Sequence, residues 1–437
     1  MIRGRAGPLY YGWIVVAVAF VTMGIAVTCR TAFSLLYPEV LDEFGWDRGA
    51  TAGAYSIGFV ASTAMLPIIG ILMDRSGPRL VIPLGAVLVA VGLVLTTTVE
   101  SLVGFYLAMG VLVINGSMAM SYIVHSMFLP AWFVRNRGLA IGIAFAGVGV
   151  GGILLLPLIQ WVIDADGWRT ACLALAALVL VVIVPLNALF QRARPADLGL
   201  EISPAERTLD RDGAAVEVVV DADWAGTEWT PARALRTRRF WWVATAMGGS
   251  LFVWYGLQAH QTRLLLDAGF DASFAARALG FVAFCGIAGQ IAIGALSDRI
   301  GREGAWTIAM GGFSIAILAF LGLEAEAAPW LVYVAIVAQG LFGSGIASVF
   351  GAVITEIFAG ARLATIFALV SLCGNIGAGL GAWSLGALHD VTGSYAPGFW
   401  LCLGAALTSI VAIWLASPGQ VRQTPLRARQ RDRAIAS

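Results

Sequence analysis

The stretch GILMDRSGPR, residues 70–79, returns 224 residues later as GALSDRIGR, residues 294–302, and each copy lies between two long apolar runs. A repeat at about half the chain length marks one module used twice. Around it, 59% of residues are apolar, 12% are charged and the mean hydropathy is +0.86. Such a chain has too few polar residues to keep a water-facing surface, so lipid is its expected solvent. Crossing ~30 Å of hydrocarbon takes about 20 apolar residues in a helix that satisfies its own backbone hydrogen bonds. Runs bounded by charge, Pro or Gly predict twelve such helices, over 12–36, 50–73, 80–98, 102–128, 138–163, 168–190, 239–264, 273–297, 304–323, 329–354, 363–387 and 397–416. The expected fold is all-α and integral to the membrane: twelve transmembrane helices in two pseudo-symmetric six-helix halves.

Arginine placement sets the expected orientation, because basic residues collect on the cytoplasmic side. With the N-terminus inside, 22 of the 27 arginines fall inside, Arg48, Arg169, Arg263 and Arg277 fall outside, and Arg30 lies within the first span. Both termini are expected in the cytoplasm, with the first apolar run read as a span and not as a cleaved signal. The expected organisation is an N-terminal half (1–190), a cytosolic linker (191–238), a C-terminal half (239–416) and a basic tail (417–437). The linker interleaves acids such as Glu206, Asp210, Asp212 and Glu217 with arginines and is too short for an ordinary catalytic domain. Near its end Thr230 and Pro231 suit a helix start, followed by a short basic helix at the lipid surface.

The net charge of +1 carries no nucleic-acid face. Cys29, Cys172, Cys285, Cys373 and Cys402 each stand alone in an apolar run, without a CxxC or Cys/His cluster, so no metal or cofactor is expected. Glycines point to closely crossing helices: Gly138, Gly142 and Ala146 share one stripe of the fifth run, Gly147 and Gly151 another, and Gly374, Gly377, Gly379 and Gly381 mark the eleventh. The string 147–152 has nucleotide-loop spacing but lies inside a span with no preceding strand, which removes that reading.

Twelve spans, a central loop and the paired Gly-x3-Asp-Arg-x-Gly motif resemble the major facilitator superfamily of secondary transporters. YGW (11–13), EFGW (43–46), WFVRNRGLAIG (132–142), RPADLG (194–199) and DVTGSY (390–395) narrow this to a resemblance with the bacterial monocarboxylate and oxalate/formate branch. The repeated loop then implies a gate built from Gly70, Asp74, Arg75, Gly77 and Arg79 and from Gly294, Asp298, Arg299, Gly301 and Arg302. Physically, Gly77 and Gly301 permit tight turns, the arginines can hold carboxylates or helix C-terminal carbonyls, and Asp74 and Asp298 can face a helix N-terminus or a neighbouring Arg. Charges that merely fix topology are the plainer account of the same residues.

Ionisable groups inside spans point to the substrate path. Arg30 lies 17 residues beyond Trp13, roughly 25 Å along the helix. It either snorkels to headgroups or clamps a carboxylate with paired hydrogen bonds. Monocarboxylate carriers often place a Lys near this point, so the resemblance implies the clamp. The other candidate substrate contacts are Asn115 and Tyr122 in the fourth span, Trp254, Tyr255, Gln258 and Gln261 in the seventh, Gln290 in the eighth and Asn375 in the eleventh, each equally suited to interhelical hydrogen bonding. The Asp and Arg that relatives carry one turn apart in the eighth span align with Gly286 and Gln290, and the Lys of oxalate carriers is missing from the eleventh. A monoanion fits one cation better than a dianion does. No acid sits mid-span, so proton coupling falls to His260, His125 or the substrate's carboxylate.

No HExxH, paired carboxylates or Ser/His/Asp set lies in or beside the spans, which excludes an enzyme. The expectation is a monomeric secondary transporter of a small organic anion in a bacterial inner membrane, with a small molecule, H+ and membrane lipid as partners. A neutral or amphipathic solute is the alternative, and a non-transporting receptor the remote one.

Overall fold

The computed structural model describes residues 10–46, 48–201, 218–326, 328–424 and 427–428. Arg3, Arg5, the linker acids Glu206, Asp210, Asp212 and Glu217, and most of the basic tail lie outside the described residues. Among the described residues, nine helical stretches are long and apolar enough to cross a membrane. One of them, Arg137–Phe190, is two spans joined at Gly167, whose φ of +84° and ψ of 164° no L side chain adopts readily. Arg48–Ser76 and Arg238–Asp267, of 29 and 30 residues, are also long enough to span, and they complete the twelve.

In chain order the spans are α1 (Tyr11–Phe44), α2 (Arg48–Ser76), α3 (Pro78–Thr96), α4 (Leu102–Ala131), α5 (137–166), α6 (168–190), α7 (Arg238–Asp267), α8 (Ala272–Ile300), α9 (Arg302–Ala325), α10 (Pro329–Ile357), α11 (Leu363–Thr392) and α12 (Ala396–Ala416). α1 outlasts its apolar run: after a local distortion at Ala32 it continues to Phe44 and stops at left-handed Gly45. Side-chain caps mark the starts of α4, α7 and α8, where Ser101, Thr237 and Asp271 accept from Gly104, Phe240 and Phe274 backbone N–H groups at 3.2, 3.2 and 2.8 Å.

The chain forms two compact units, residues 1–62 with 75–215 and residues 63–74 with 216–437. In the first, α1 crosses α5 at glycines. A Cβ on Gly147 would fall on the Phe20 carbonyl and one on Gly151 on the Gly24 carbonyl. In the second, α7 crosses α11 the same way, with Gly377 against the Gly248 carbonyl and Gly381 against that of Phe252. Because lipid chains solvate leucine as well as protein does, close backbone contact and dispersion hold such helices together in place of the hydrophobic effect. Apolar side chains such as Val181, 71% exposed, and Trp383, 69% exposed, are accordingly left on the lipid side.

The fourth span of each half is irregular. α4 is wound as a π-helix over Tyr106–Ile114 and breaks at 119–121, where Ser121 is extended. α10 has a π-helical turn at Ala338–Phe342 followed by a 3₁₀ turn at Gly343–Gly345. Such local rewinding in corresponding spans frequently accompanies functional sites.

Charged and aromatic groups tie the helix ends. In the first unit, Glu43 accepts hydrogen bonds from Trp168 Nε1 at 2.8 Å and from Arg169 at 2.6 Å, while Arg169 Nε donates to the Thr97 carbonyl at 3.0 Å. In the second, the linker and tail share one strap: Val219 bridges Arg422 in antiparallel fashion, and Trp224, Trp229 and Phe358 stack together. Trp224 Nε1 donates to the Ile357 carbonyl at 2.8 Å and Arg422 to the Glu356 carbonyl at 2.6 Å. The last carbonyls of α10 are thus satisfied by residues from both ends of the unit. The short helix read after Thr230 is present as Pro231–Leu235, capped by the Thr230 hydroxyl.

Gly381 and Gly379 sit on the same helix, one against the Phe252 carbonyl and one with nothing within 4 Å. Gly381→Leu is expected to destabilise the protein by more than the ~1–3 kcal/mol of ordinary overpacking, since backbone must move. Gly379→Leu is expected to be tolerated, and unfolding temperatures and folded yield of the two variants in detergent check both.

Candidate functional site

In the first unit, Arg30 lies near the end of the first regular stretch of α1, beside the break in α4. Its guanidinium is 3.8 Å from the Met118 sulfur, and its Nε is buried without a hydrogen-bond partner. Among the described residues no carboxylate pairs with it. The two helices are pinned together one turn away, where Ser117 donates to the Ala26 carbonyl at 2.7 Å. Below the break, Ser121 Oγ donates to the Met118 carbonyl at 2.9 Å.

Asn115 is buried and spends its amide nitrogen on the Val111 carbonyl at 2.8 Å, leaving Oδ1 without a partner. Tyr122 is half-buried, edge-on to Phe145 at 4.8 Å. His125 is fully buried. Its Nδ1 lies 3.1 Å from the Ser121 carbonyl. A carbonyl only accepts, so Nδ1 carries the proton and Nε2, which has no partner, is the open basic nitrogen.

In the second unit the four α7 candidates differ in setting. Trp254 is half-buried against Phe313, Tyr255 is half-buried, Gln258 is exposed and Gln261 is buried. Gln261 lines a small cavity with Leu265, Ala278, Val282, Phe320 and Ile336, and its Nε2 is unpartnered there. His260 Nε2 donates to the Ala382 carbonyl at 2.8 Å, which joins α7 to α11 and leaves Nδ1 as the nitrogen able to take a proton. Gln290 is buried with its Oε1 unpartnered, and its backbone carbonyl accepts from Ser348 Oγ at 2.9 Å. Asn375 Nδ2 is buried and likewise unpartnered, as are Gln339 Oε1 and Ser371 Oγ. The second unit therefore carries several amides and a hydroxyl, spread over α7, α8, α10 and α11, each with a side-chain atom that has no partner among the described residues.

The two copies of the repeated loop solve one problem differently. Gly77 and Gly301 both take positive φ, +69° and +89°, as the tight turns require. Asp74 accepts from the Ala364 and Thr365 backbone N–H groups, both at 2.9 Å, and from the Thr365 hydroxyl. It thereby caps the N-terminus of α11, where charge and helix dipole reinforce each other. Gly70 lies one turn before it on the same contact, where a Cβ would be 2.9 Å from the Ala364 carbonyl. Arg79 Nε donates to the Ala188 carbonyl at 2.7 Å, and Arg75 is exposed.

In the second copy Asp298 pairs with Arg302 at 2.8 Å, and Arg302 also reaches Glu356 at 2.9 Å and Ser297 Oγ at 2.6 Å. Arg302 is only 2% exposed, so this charge survives burial because three oxygens surround it. Gly294 is buried and Arg299 exposed. Nothing in the local sequence of Glu356 announces its partner Arg302, 54 residues away.

A sequence model of the Major Facilitator Superfamily matches residues 16–326 and 264–437. Rat "Monocarboxylate transporter 13" is 28% identical over 89% of this chain and 85% of its own length. Human "Monocarboxylate transporter 11" is 27% identical over 93% and 83%. These relatives are transporters and not enzymes. Among solved structures, the E. coli fucose:proton symporter FucP superposes with a TM-score of 0.68 at 14% identity, covering 93% of this chain and 99% of that one. The human organic anion transporter MFSD10 gives 0.69 at 15% identity, covering 92% and 99%. With twelve helices, a duplicated loop and this match over nearly its whole length, the chain belongs to the Major Facilitator Superfamily and is a multi-pass membrane transporter.

Proposed function

We propose that this transporter carries a small organic anion, a monocarboxylate, by alternating access. The observation that carries the reading is Arg30, an intramembrane guanidinium with which no carboxylate of the described residues pairs and whose buried Nε has no acceptor. An Arg at membrane depth costs ~2.5–3.5 kcal/mol on insertion scales. A bound carboxylate offsets that cost and supplies both acceptors that the planar fork is built to meet. One cation balances one negative charge, which favours a monocarboxylate over a dicarboxylate. Similarity to proteins named as monocarboxylate transporters supports the same class.

Asn115, Tyr122, Trp254, Tyr255, Gln258, Gln261, Gln290 and Asn375 are proposed to complete recognition of the rest of the molecule. The unpartnered amides of the second unit favour a second reading, a neutral polar solute. His260 and His125 are the proposed carriers of a coupled proton. Asp74 on the α11 N-terminus and the Asp298–Arg302–Glu356 cluster are proposed as contacts that form and break with the gate. The arginine bias supports both termini in the cytoplasm, and a bacterial inner membrane and a monomeric state are proposed beside it. The division into halves at 1–190 and 239–416, with a linker and a basic tail, completes this reading.

Three measurements test it. Thermal unfolding of purified protein with mono- and dicarboxylates and neutral solutes is expected to show saturable stabilisation by monocarboxylates, weakened at least roughly tenfold in affinity in Arg30→Gln. Equal stabilisation in both proteins, or stabilisation by neutral solutes alone, returns Arg30 to the headgroups. His260→Gln is expected to flatten the pH dependence of uptake, because it removes the Nδ1 site; an unchanged profile excludes it. Asp74→Asn keeps an acceptor but loses the charge at the helix N-terminus, at ~0.3–1 kcal/mol. It is expected to shift cysteine accessibility from one membrane side to the other, and an unaltered accessibility and rate would sink the gating role.

A further inference from the structure

At the start of α7, four arginines fall within seven residues, Arg233, Arg236, Arg238 and Arg239, and the structure gives them different work. Arg239 turns back onto the strap: its guanidinium stacks over Trp224 at 4.3 Å and approaches Asp221 at 3.9 Å. Arg233 is exposed and tied by one nitrogen to the Glu228 carbonyl at 3.0 Å. Arg236 and Arg238 are exposed, and no ion pair or hydrogen bond from the described residues reaches either side chain. Beside them lies apolar surface of unusual size for a water-facing turn: Leu235 is 38% exposed, Trp241 53% and Trp242 37%.

The patch is held in shape. Thr230 caps the helix Pro231–Leu235, Thr237 caps α7, and Trp241 Nε1 donates to the Leu235 carbonyl at 2.9 Å, clamping the short helix to the span. Phe240 is buried where Trp241 and Trp242 are not, so these indoles face outward at the first turn of α7, as the aromatic residues of a membrane–water boundary do. Free guanidinium groups next to outward indoles and a leucine match an amphiphile with an anionic head and an apolar body. A free phosphate would use the arginines and leave the apolar surface unexplained.

We infer that Leu235, Arg236, Arg238, Trp241 and Trp242, with Arg233 at the edge, form a binding site for an anionic phospholipid, its phosphodiester on Arg236 and Arg238 and its acyl chains along the indoles. The site stands apart from the substrate residues and holds whatever the transported solute is. Basic groups at a membrane surface draw anionic headgroups electrostatically, while the indole face selects lipid over soluble phosphate.

The test uses the full chain in nanodiscs of phosphatidylcholine with a minor fraction of phosphatidylglycerol. The readouts are retention of each lipid by native mass spectrometry and unfolding temperature. Wild type is expected to retain phosphatidylglycerol selectively and to be stabilised by it. The Arg236→Gln/Arg238→Gln double variant is expected to bind it roughly tenfold more weakly, with unaltered stability in phosphatidylcholine alone. Trp241→Ala is expected to weaken retention too, which a purely electrostatic attraction would not require. Arg362→Gln removes another exposed arginine and is expected to change nothing. Equal retention in wild type and the double variant overturns the site, as does an equal loss in Arg362→Gln or displacement of the lipid by inorganic phosphate.

Discussion

No water is available in hydrocarbon to complete a hydrogen bond, so every backbone group, amide and charge inside this protein must find its partner within the chain. That constraint makes the spans helical. It also explains the remote caps at their ends. Asp74 meets the free N–H groups of α11 across 290 residues of sequence, and Trp224 and Arg422 meet the last carbonyls of α10. Arg302 can be buried because Asp298, Glu356 and Ser297 surround it. Arg30 Nε, Asn115 Oδ1 and His125 Nε2 in the first unit and the amides of Gln261, Gln290, Gln339 and Asn375 in the second are among the buried groups left without a partner.

The duplicated module is most alike where packing is tightest and least alike in how its charged and polar side chains are paired. Glycine crossings of α1 on α5 and of α7 on α11 repeat almost position for position, because backbone contact leaves no freedom for a side chain. Both fourth spans are rewound. The repeated loop, by contrast, uses its aspartate to cap a helix in one copy and to pair with an arginine in the other. The intramembrane cation Arg30 likewise has no counterpart among the described residues of the second unit, where Gln261, Gln290, Gln339 and Asn375 carry open amides.

Much of the fold was legible because its signals are local. Apolar runs of about 20 residues announce spans whatever their neighbours, and the positive φ of Gly77 and Gly301 follows from a turn too tight for other residues. Boundaries were less legible. α1 continues to Phe44 through a sequence with Glu39, Asp42 and Glu43, because Trp168 and Arg169 receive the last of these acids. For the candidate site, type and approximate depth were readable, as for Arg30 and His260. Which nitrogen of His260 is free was not, since that depends on the Ala382 carbonyl 122 residues away.

The sequence alone determined that this chain is a duplicated membrane module with twelve spans and a single cation, Arg30, inside the first. Those properties depend on composition and on neighbours a few residues apart. Only the tertiary structure decided that Asp74 caps α11, that Glu356 holds Arg302, and that linker and tail close over α10. Each of these joins groups far apart along the chain whose energies exist only once packing has excluded water from between them.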